Sequence, residues 1–420
     1  MIAPAKLKSI ASNLVISYTN SFVAFMVFLL LARLLGADDY AFVAIGIAVG
    51  GIIAPLFDMG SAKTFVRDAI RLKDEKELDK LVLSNISLRL SSSLIIICCL
   101  FVFCFLYADN ITSYLAVTFL SLWSGLLGMY PTSWFDFKHR TSVQNLCVMI
   151  ERVVLLVFIG GVSFIEIESL LIYVLAILMV CLRLSSITYQ VKLWWKLYSQ
   201  SEFHIRLKFA TIDSKGVNIL LTMALVSNAL LTYGNQLVYG KFGDPVELSS
   251  YSLAFQFVSL IFLFQAQAIR VLNRDISEIN KSKDQSAIIK NLIGHSVFLA
   301  LVSAAMSILL LFVSDYIPIF IDDTRFNSIS LYMPILSVWI VFVGMGQVVT
   351  QYLLEIKQEK FYLFNCIVAG VVAILLGIAY VPLNGAISVA YILTIVHISS
   401  ISVNASRVLY VHHSRSKDSN

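Results

Sequence analysis

Glu151 and Arg152 stand side by side inside an apolar run that spans residues 143–163. A charge near the middle of a helix in hydrocarbon costs on the order of 2.5 to 3.5 kcal/mol, so such a residue faces a partner or a wet cavity. At 1.5 Å per residue the pair lies about 12 Å along its helix. Adjacent residues point about 100° apart, so the two cannot simply neutralise each other and at least one must look into the protein. Two readings stand: a buried tie between helices, or a charge that handles a polar cargo or an ion. His397, halfway along the last apolar run, is the other titratable group at depth. Its imidazole titrates near neutrality and can relay a proton, or it can simply hydrogen-bond a neighbour. Arg33 and Asp58 lie nearer the rims. Arg33 can snorkel outward, and Asp58 can cap its helix or pair with Lys63 or Arg67. Arg89 and Arg183 are within reach of the inner surface, where snorkelling is again expected.

A second set is polar and neutral: Asn20, Asn235, Gln236, Gln256, Gln265, Gln267, Gln347 and Gln351, all within apolar runs. Gln347 and Gln351 are one turn apart and share a face. Such amides either glue helices together or hydrogen-bond sugar hydroxyls in a wet cavity. Gly46 and Gly50 form a GxxxG with Pro55 after it, which predicts close helix packing and a bend. No Gly-rich phosphate loop, no clustered His and carboxylate ligands and no large loop with paired acids or a nucleophile is present. No catalytic residue, metal ligand or cofactor site is therefore expected. The six cysteines sit inside apolar runs and read as small apolar filler.

The elements that must position these residues are membrane helices. Hydrophobic residues make up 59% of the 420-residue chain and charged residues 14%, where a soluble domain has about a quarter charged. The stretch Leu29 to Ile70, LLLARLLGADDYAFVAIGIAVGGIIAPLFDMGSAKTFVRDAI, sets the pattern: two apolar runs joined by a short acidic turn, with charges at both rims. A bilayer core of about 30 Å takes roughly 20 helical residues per crossing, so these two runs form an antiparallel hairpin. Twelve such segments follow from the whole chain, near residues 10–32, 40–60, 83–106, 113–134, 143–163, 169–190, 213–239, 248–269, 291–313, 330–354, 361–381 and 384–409. The start, with Lys6 and Lys8, reads as an uncleaved anchor.

With the N-terminus inside, the inner segments hold twenty-four Lys and Arg and the outer ones three, Arg33, Lys241 and Arg325. That bias places both termini in the cytoplasm. It also accounts for the net charge of +5 without nucleic acid, since the cations are scattered over short loops. The inner loops 61–82, 191–212 and 270–290 are expected as short helices on the membrane face, with Trp194 and Trp195 at the interface. Lys63, Arg67 and Asp68 recur as Arg270, Arg274 and Asp275 at an offset of 207, which Gly36 and Gly243 share. The pattern predicts a duplicated six-helix unit with a substrate bound between the two pseudo-symmetric halves. The expected organisation is an N-terminal lobe over 1–200, a C-terminal lobe over 201–410 and a cytoplasmic tail over 411–420.

The segments LLLARLLGADDYAFVAIG and LFDMGSAKTFVRDA, through Ala32, Arg33, Leu35, Gly36, Tyr40, Asp58, Gly60 and Arg67, resemble the opening of the polysaccharide biosynthesis transporters, the Wzx-type O-antigen flippases. The resemblance implies the multidrug/oligosaccharidyl-lipid/polysaccharide (MOP) exporter fold, an all-α arrangement of two six-helix lobes around a central cavity, in a bacterial inner membrane. It implies a substrate of undecaprenyl-pyrophosphate-linked oligosaccharide moved to the periplasmic leaflet by alternating access. Membrane lipid is the surrounding partner, and the polymerase and chain-length regulator of the same pathway are candidate partners. On this reading Arg152, with Arg33 and Lys63, attracts the pyrophosphate or an acidic sugar, and the amides line the path. Glu151, His397 or Asp58 couples the cycle to an ion. A small-molecule or drug exporter of the same fold is the alternative, with a membrane-embedded polymerase behind it.

Overall fold

A computed structural model describes residues 4–61, 65, 69, 72, 75–107, 111–138, 140–162, 171–199, 219–279 and 285–418. All regular structure among them is helical. The first stretch, Pro4–Asp58, runs as one helix broken at Gly36 into α1 (4–35) and α2 (37–58). Gly36 adopts φ 69° and ψ 177°, a conformation essentially restricted to glycine, so the turn is written by that one residue. Then come α3 (Glu75–Tyr107), α4 (Ile111–Gly125), a 3₁₀ turn (Leu126–Met129), α5 (Thr132–Phe137), α6 (Thr141–Val162) and α7 (Leu171–Tyr198). The remainder is α8 (Ile219–Phe242), α9 (Pro245–Ile279), α10 (Gln285–Ser314), α11 (Ile317–Ile321), a second 3₁₀ turn (Thr324–Ser328), α12 (Ile329–Glu355), α13 (Glu359–Asn384) and α14 (Ala386–Asp418).

Ten helical stretches among the described residues are long and apolar enough to cross a membrane. One of them, Thr19–Asp58, contains the Gly36 break and so makes two crossings. Helix α8, 24 residues long, is more polar than these because it carries Asn228, Asn235 and Gln236. Each of the twelve expected segments thus meets a helix. The outward faces are apolar, as lipid demands: Val102, Phe105 and Leu106 on α3, Leu309 and Phe312 on α10, and Leu375 and Ile378 on α13 are all exposed.

The chain divides into two compact units, residues 1–35 with 42–226, and residues 36–41 with 227–420. In the first, Gly46 and Gly50 bear on α4: a Cβ on Gly46 would strike Leu120, and one on Gly50 would strike Ser124. The GxxxG is therefore a packing face, as its spacing predicts. Phe65, Trp134, Phe135 and Trp194 form the centre of an aromatic-rich core with Val82 and Leu78. Trp194 is completely buried and α7 continues to Tyr198, so this residue is a core anchor where an interfacial position was expected. Burying a large ring against other rings outweighs its pull toward headgroups. Parts of the expected inner loops are extensions of the crossing helices, because α3 starts at Glu75, α7 runs to Tyr198, α9 runs to Ile279 and α10 starts at Gln285; residues 200–212 and most of 62–74 lie outside the described residues.

In the second unit α12 packs against α9, α10 and α14. Residues 36–41 fold with this unit. Ser249 donates to the Ala37 carbonyl at 2.5 Å, Tyr40 is buried with its ring 6.1 Å from that of Phe326, and Arg325 bridges Asp38 (2.5 Å) and Asp323 (2.9 Å). Asp323 also caps the second 3₁₀ turn by accepting from the Arg325 backbone N–H. The Arg325 guanidinium beside it holds the Asp323 carboxyl below its usual range.

Candidate functional site

The polar residues of the first unit converge on the break in its fourth crossing. Helix α4 tightens into the 3₁₀ turn, Tyr130 takes an extended backbone, and Pro131 then opens α5. Broken helices leave carbonyls without intrahelical donors, and in lipid those must be satisfied from the side. Arg89 of α3 does so, donating from Nη1 to the carbonyls of Met129 (3.2 Å) and Tyr130 (3.1 Å). Its Nη2 meets Asp58 at 2.7 Å and also donates to Ser61. Ser61 in turn donates to Asp58 at 3.0 Å. Asp58 therefore ends α2 in a tie to α3. Lys63 and Arg67, its expected partners, lie outside the described residues.

The Tyr130 side chain carries the network onward, donating its hydroxyl to Glu151 Oε2. Arg183 Nε of α7 donates to Glu151 Oε1 at 2.6 Å, and both side chains are at most 3% exposed. The Arg183 guanidinium also lies over the rings of Trp123 (5.0 Å) and Tyr130 (5.3 Å). Arg89 and Arg183 are each only 2% exposed, so neither snorkels to the inner surface as expected. Carboxylates on neighbouring helices and the freed carbonyls of the break hold them at depth.

Arg152 behaves differently. Half-buried, it donates from Nη1 to the carbonyl and to Oδ1 of Asn20 on α1, both at 2.9 Å. The structure thus unites two of the candidate residues, Arg152 and Asn20, in one contact. It also settles which way the adjacent pair faces: Glu151 into the packed interior, Arg152 toward α1. Arg33 is exposed near the end of α1 and Lys63 falls outside the described residues.

The second unit replaces these charges by amides. Gln265 donates to Ser303 Oγ and to the Ile340 carbonyl, both at 2.7 Å, and accepts from Gln347 at 3.2 Å, tying α9, α10 and α12. Gln256 and Gln351 are half-buried, and Gln236 is buried. Asn235 is 1% exposed, and neither its amide nitrogen nor its oxygen has a partner among the described residues. His397 has its ring 5.9 Å from that of Trp339, and its buried Nδ1 has no hydrogen-bond partner among the described residues. These rings extend a line of aromatics through Phe255 to Tyr233 and Tyr251.

Tyr130 and Trp123 are not singled out by residue type, and Arg89 and Arg183 are expected to snorkel rather than to join this network. The available signal was charge balance: Asp58 and Glu151 are carboxylates inside apolar runs, and Arg89 and Arg183 are the cations inside other apolar runs that can meet them.

A helical membrane protein with buried charges around a broken crossing has known structural counterparts. The fold is that of the MOP-superfamily transporters. It resembles the lipid II flippase MurJ in an inward closed conformation, with 17% identity, a TM-score of 0.65, and coverage of 93% of this chain and 87% of that one. It also resembles an inward-facing multidrug resistance MATE transporter of the MOP superfamily, with 12% identity, a TM-score of 0.63 and coverage of 96% and 98%. A third likeness is to a MOP-superfamily transporter from Pyrococcus furiosus described as having a binding pocket of reversed polarity, with 10% identity, a TM-score of 0.56 and coverage of 94% of each chain. A comparison with curated sequences finds none that matches. The chain belongs to the polysaccharide biosynthesis protein family, which it matches over residues 6–272.

Proposed function

We propose that this protein is a flippase that moves undecaprenyl-pyrophosphate-linked oligosaccharide repeat units, of the O-antigen kind, from the cytoplasmic to the periplasmic leaflet of a bacterial inner membrane. Both termini lie in the cytoplasm on this reading, in keeping with the distribution of Lys and Arg. Family membership supports a role in polysaccharide export, and the likeness to a lipid II flippase supports a lipid-linked cargo. A sugar headgroup cannot cross hydrocarbon unaided, because each hydroxyl loses hydrogen bonds at a cost of about 2 kcal/mol or more. The protein supplies amides and cations along an alternating-access path while the polyprenyl tail stays in lipid. It performs no covalent chemistry.

The observation that carries the reading is Arg152. Among the described residues it has no carboxylate in contact, and its side-chain hydrogen bonds go to Asn20. A half-buried guanidinium inside an apolar helix, held by an amide and in contact with no carboxylate, fits attraction of a pyrophosphate or an acidic sugar. Arg152→Ala should abolish export of repeat units while the protein remains in the membrane at normal amount. Full export by that variant would sink the assignment. Glu151 or His397 is the group through which we couple the cycle to proton movement, with Asp58 a weaker candidate because Arg89 holds it. The aromatic line from Tyr233 to His397 favours one competing reading, export of an apolar small molecule, which drug-susceptibility assays on a deletion strain would reveal.

A further inference from the structure

Arg183 uses little of its guanidinium. It meets Glu151 through Nε, and its buried Nη1 has no hydrogen-bond partner among the described residues. A buried donor with no acceptor is costly, and a planar guanidinium is built for two-pronged contact with carboxylate or phosphate. The ion pair is thus monodentate at a place where a bidentate one would be stronger. Arg152 neighbours Glu151 on α6, and Glu151 pairs with Arg183 of α7. Two guanidinium groups therefore flank one carboxylate, and each has donors to spare. Glu151 has no such slack: Tyr130 occupies one of its oxygens and Arg183 the other.

We propose that Arg183 joins Arg152 as a pyrophosphate-binding pair, and that Glu151 is the resident anion which the incoming headgroup displaces from Arg183. The proposal rests on the flippase reading above and specifies its binding site. A diphosphate brings enough acceptor oxygens to engage Nε and Nη1 of Arg183 together with the free donors of Arg152. Glu151, released from Arg183, keeps the Tyr130 hydroxyl as its donor. In the unloaded protein Glu151 screens the buried cation, so the empty site is not left with two bare guanidinium groups. The headgroup reaches the pair from the Arg152 side, which is the less buried of the two. Arg183 is in this account a binding residue, and Glu151 sets how tightly the anion is held.

The test is a titration of the purified full-length protein in nanodiscs with inorganic pyrophosphate, read by tryptophan fluorescence. Trp123 stacks on Arg183, and a Trp123→Phe control identifies its share of the signal. Removing the competing charge in Glu151→Gln should tighten pyrophosphate binding about tenfold or more, the equivalent of one charge-assisted hydrogen bond. Tyr130→Phe, which takes away the donor that keeps the displaced Glu151 carboxylate, should weaken binding without altering charge. Arg183→Lys keeps the charge but loses the fork and should weaken binding about tenfold. If Glu151→Gln binds no more tightly than wild type, or Tyr130→Phe no more weakly, Glu151 is not a displaced competitor and the proposal falls. Unchanged binding in Arg183→Lys overturns it as well. Competition by undecaprenyl pyrophosphate in the nanodisc assigns the site to a lipid headgroup, whereas binding of free pyrophosphate that the lipid does not displace refutes that assignment. The predicted order of affinities in a protein whose deletion leaves repeat-unit distribution unchanged would overturn the flippase reading and keep the anion site. Loss of translocation with a flat order of affinities would do the reverse.

Discussion

Removing Arg183 should reveal how the first unit holds its charges. The Arg183 to Glu151 contact is 2.6 Å long, with side chains only 2% and 3% exposed. Breaking a buried pair by deleting one member leaves the other charged and unsolvated, which costs about 3 to 5 kcal/mol. Arg183→Met strands the Glu151 carboxylate with only the Tyr130 hydroxyl for company, and Glu151→Leu strands the guanidinium between Trp123 and Tyr130. Each single change should therefore destabilise by about 3 kcal/mol or more. The double variant removes both charges and replaces them with apolar volume, so its cost should be far below the sum, giving a coupling energy of at least about 2 kcal/mol. Reversible unfolding in mixed micelles, followed for wild type, the two singles and the double, measures all four corners. Additive effects of under about 1 kcal/mol each, the behaviour of a solvated surface pair, would refute the claim that this pair is sealed in the interior. The double variant should also fold well and fail to export, which separates stability from function.

Two further expectations follow from packing and from the Gly36 turn. Gly50→Leu drives side-chain atoms into Ser124 and the Gly125 backbone, so it should cost about 1 to 3 kcal/mol or more and show as a lowered unfolding midpoint in detergent. The same change at Gly160, where a Cβ meets nothing within 4 Å, should be near neutral by that assay. Asp323 predicts a pH dependence: its carboxyl is held below the ordinary value of 3.8 by Arg325. A depressed folded value means the tie is fully present above pH 3.8 and is lost as pH falls through the lower folded value. Hydrogen exchange of the 3₁₀ turn Thr324–Ser328 should be independent of this group from pH 7 to 5 and accelerate only in stronger acid. Asp323→Asn should remove that acid step.

Much of this fold is legible in the sequence, because lipid forces every crossing to be a long apolar helix and so leaves a mark in composition. The Leu29–Ile70 hairpin, with Gly36 at its turn, is one such case, and the GxxxG at Gly46 and Gly50 another. Helix α8 is also found, even though Asn228, Asn235 and Gln236 dilute its apolar character. The site is only half legible. The depth of Glu151 and Arg152 marks them, but their partners lie on other helices: Arg183 is 32 residues from Glu151 and Asn20 is 132 from Arg152. No local periodicity encodes such pairings. Arg89 reads as snorkelling rather than buried for a different reason, since the carbonyls it satisfies belong to a helix break that begins after Gly125 and has little mark in the sequence beyond Pro131. Trp194 misleads because tryptophan near a helix end is usual at headgroups, yet here Phe65, Trp134 and Phe135 build it a core.

The central claim is that the protein carries lipid-linked repeat units across the membrane. Deleting its gene in the native strain and fractionating the undecaprenyl-linked oligosaccharides by leaflet, with surface polysaccharide scored in parallel, tests that claim directly. Complete repeat units should accumulate on the cytoplasmic leaflet, and surface polymer should disappear until the wild-type gene, but not Arg152→Ala, is restored. Repeat units that reach the periplasmic leaflet in the deletion strain, with surface polymer unchanged, would contradict it.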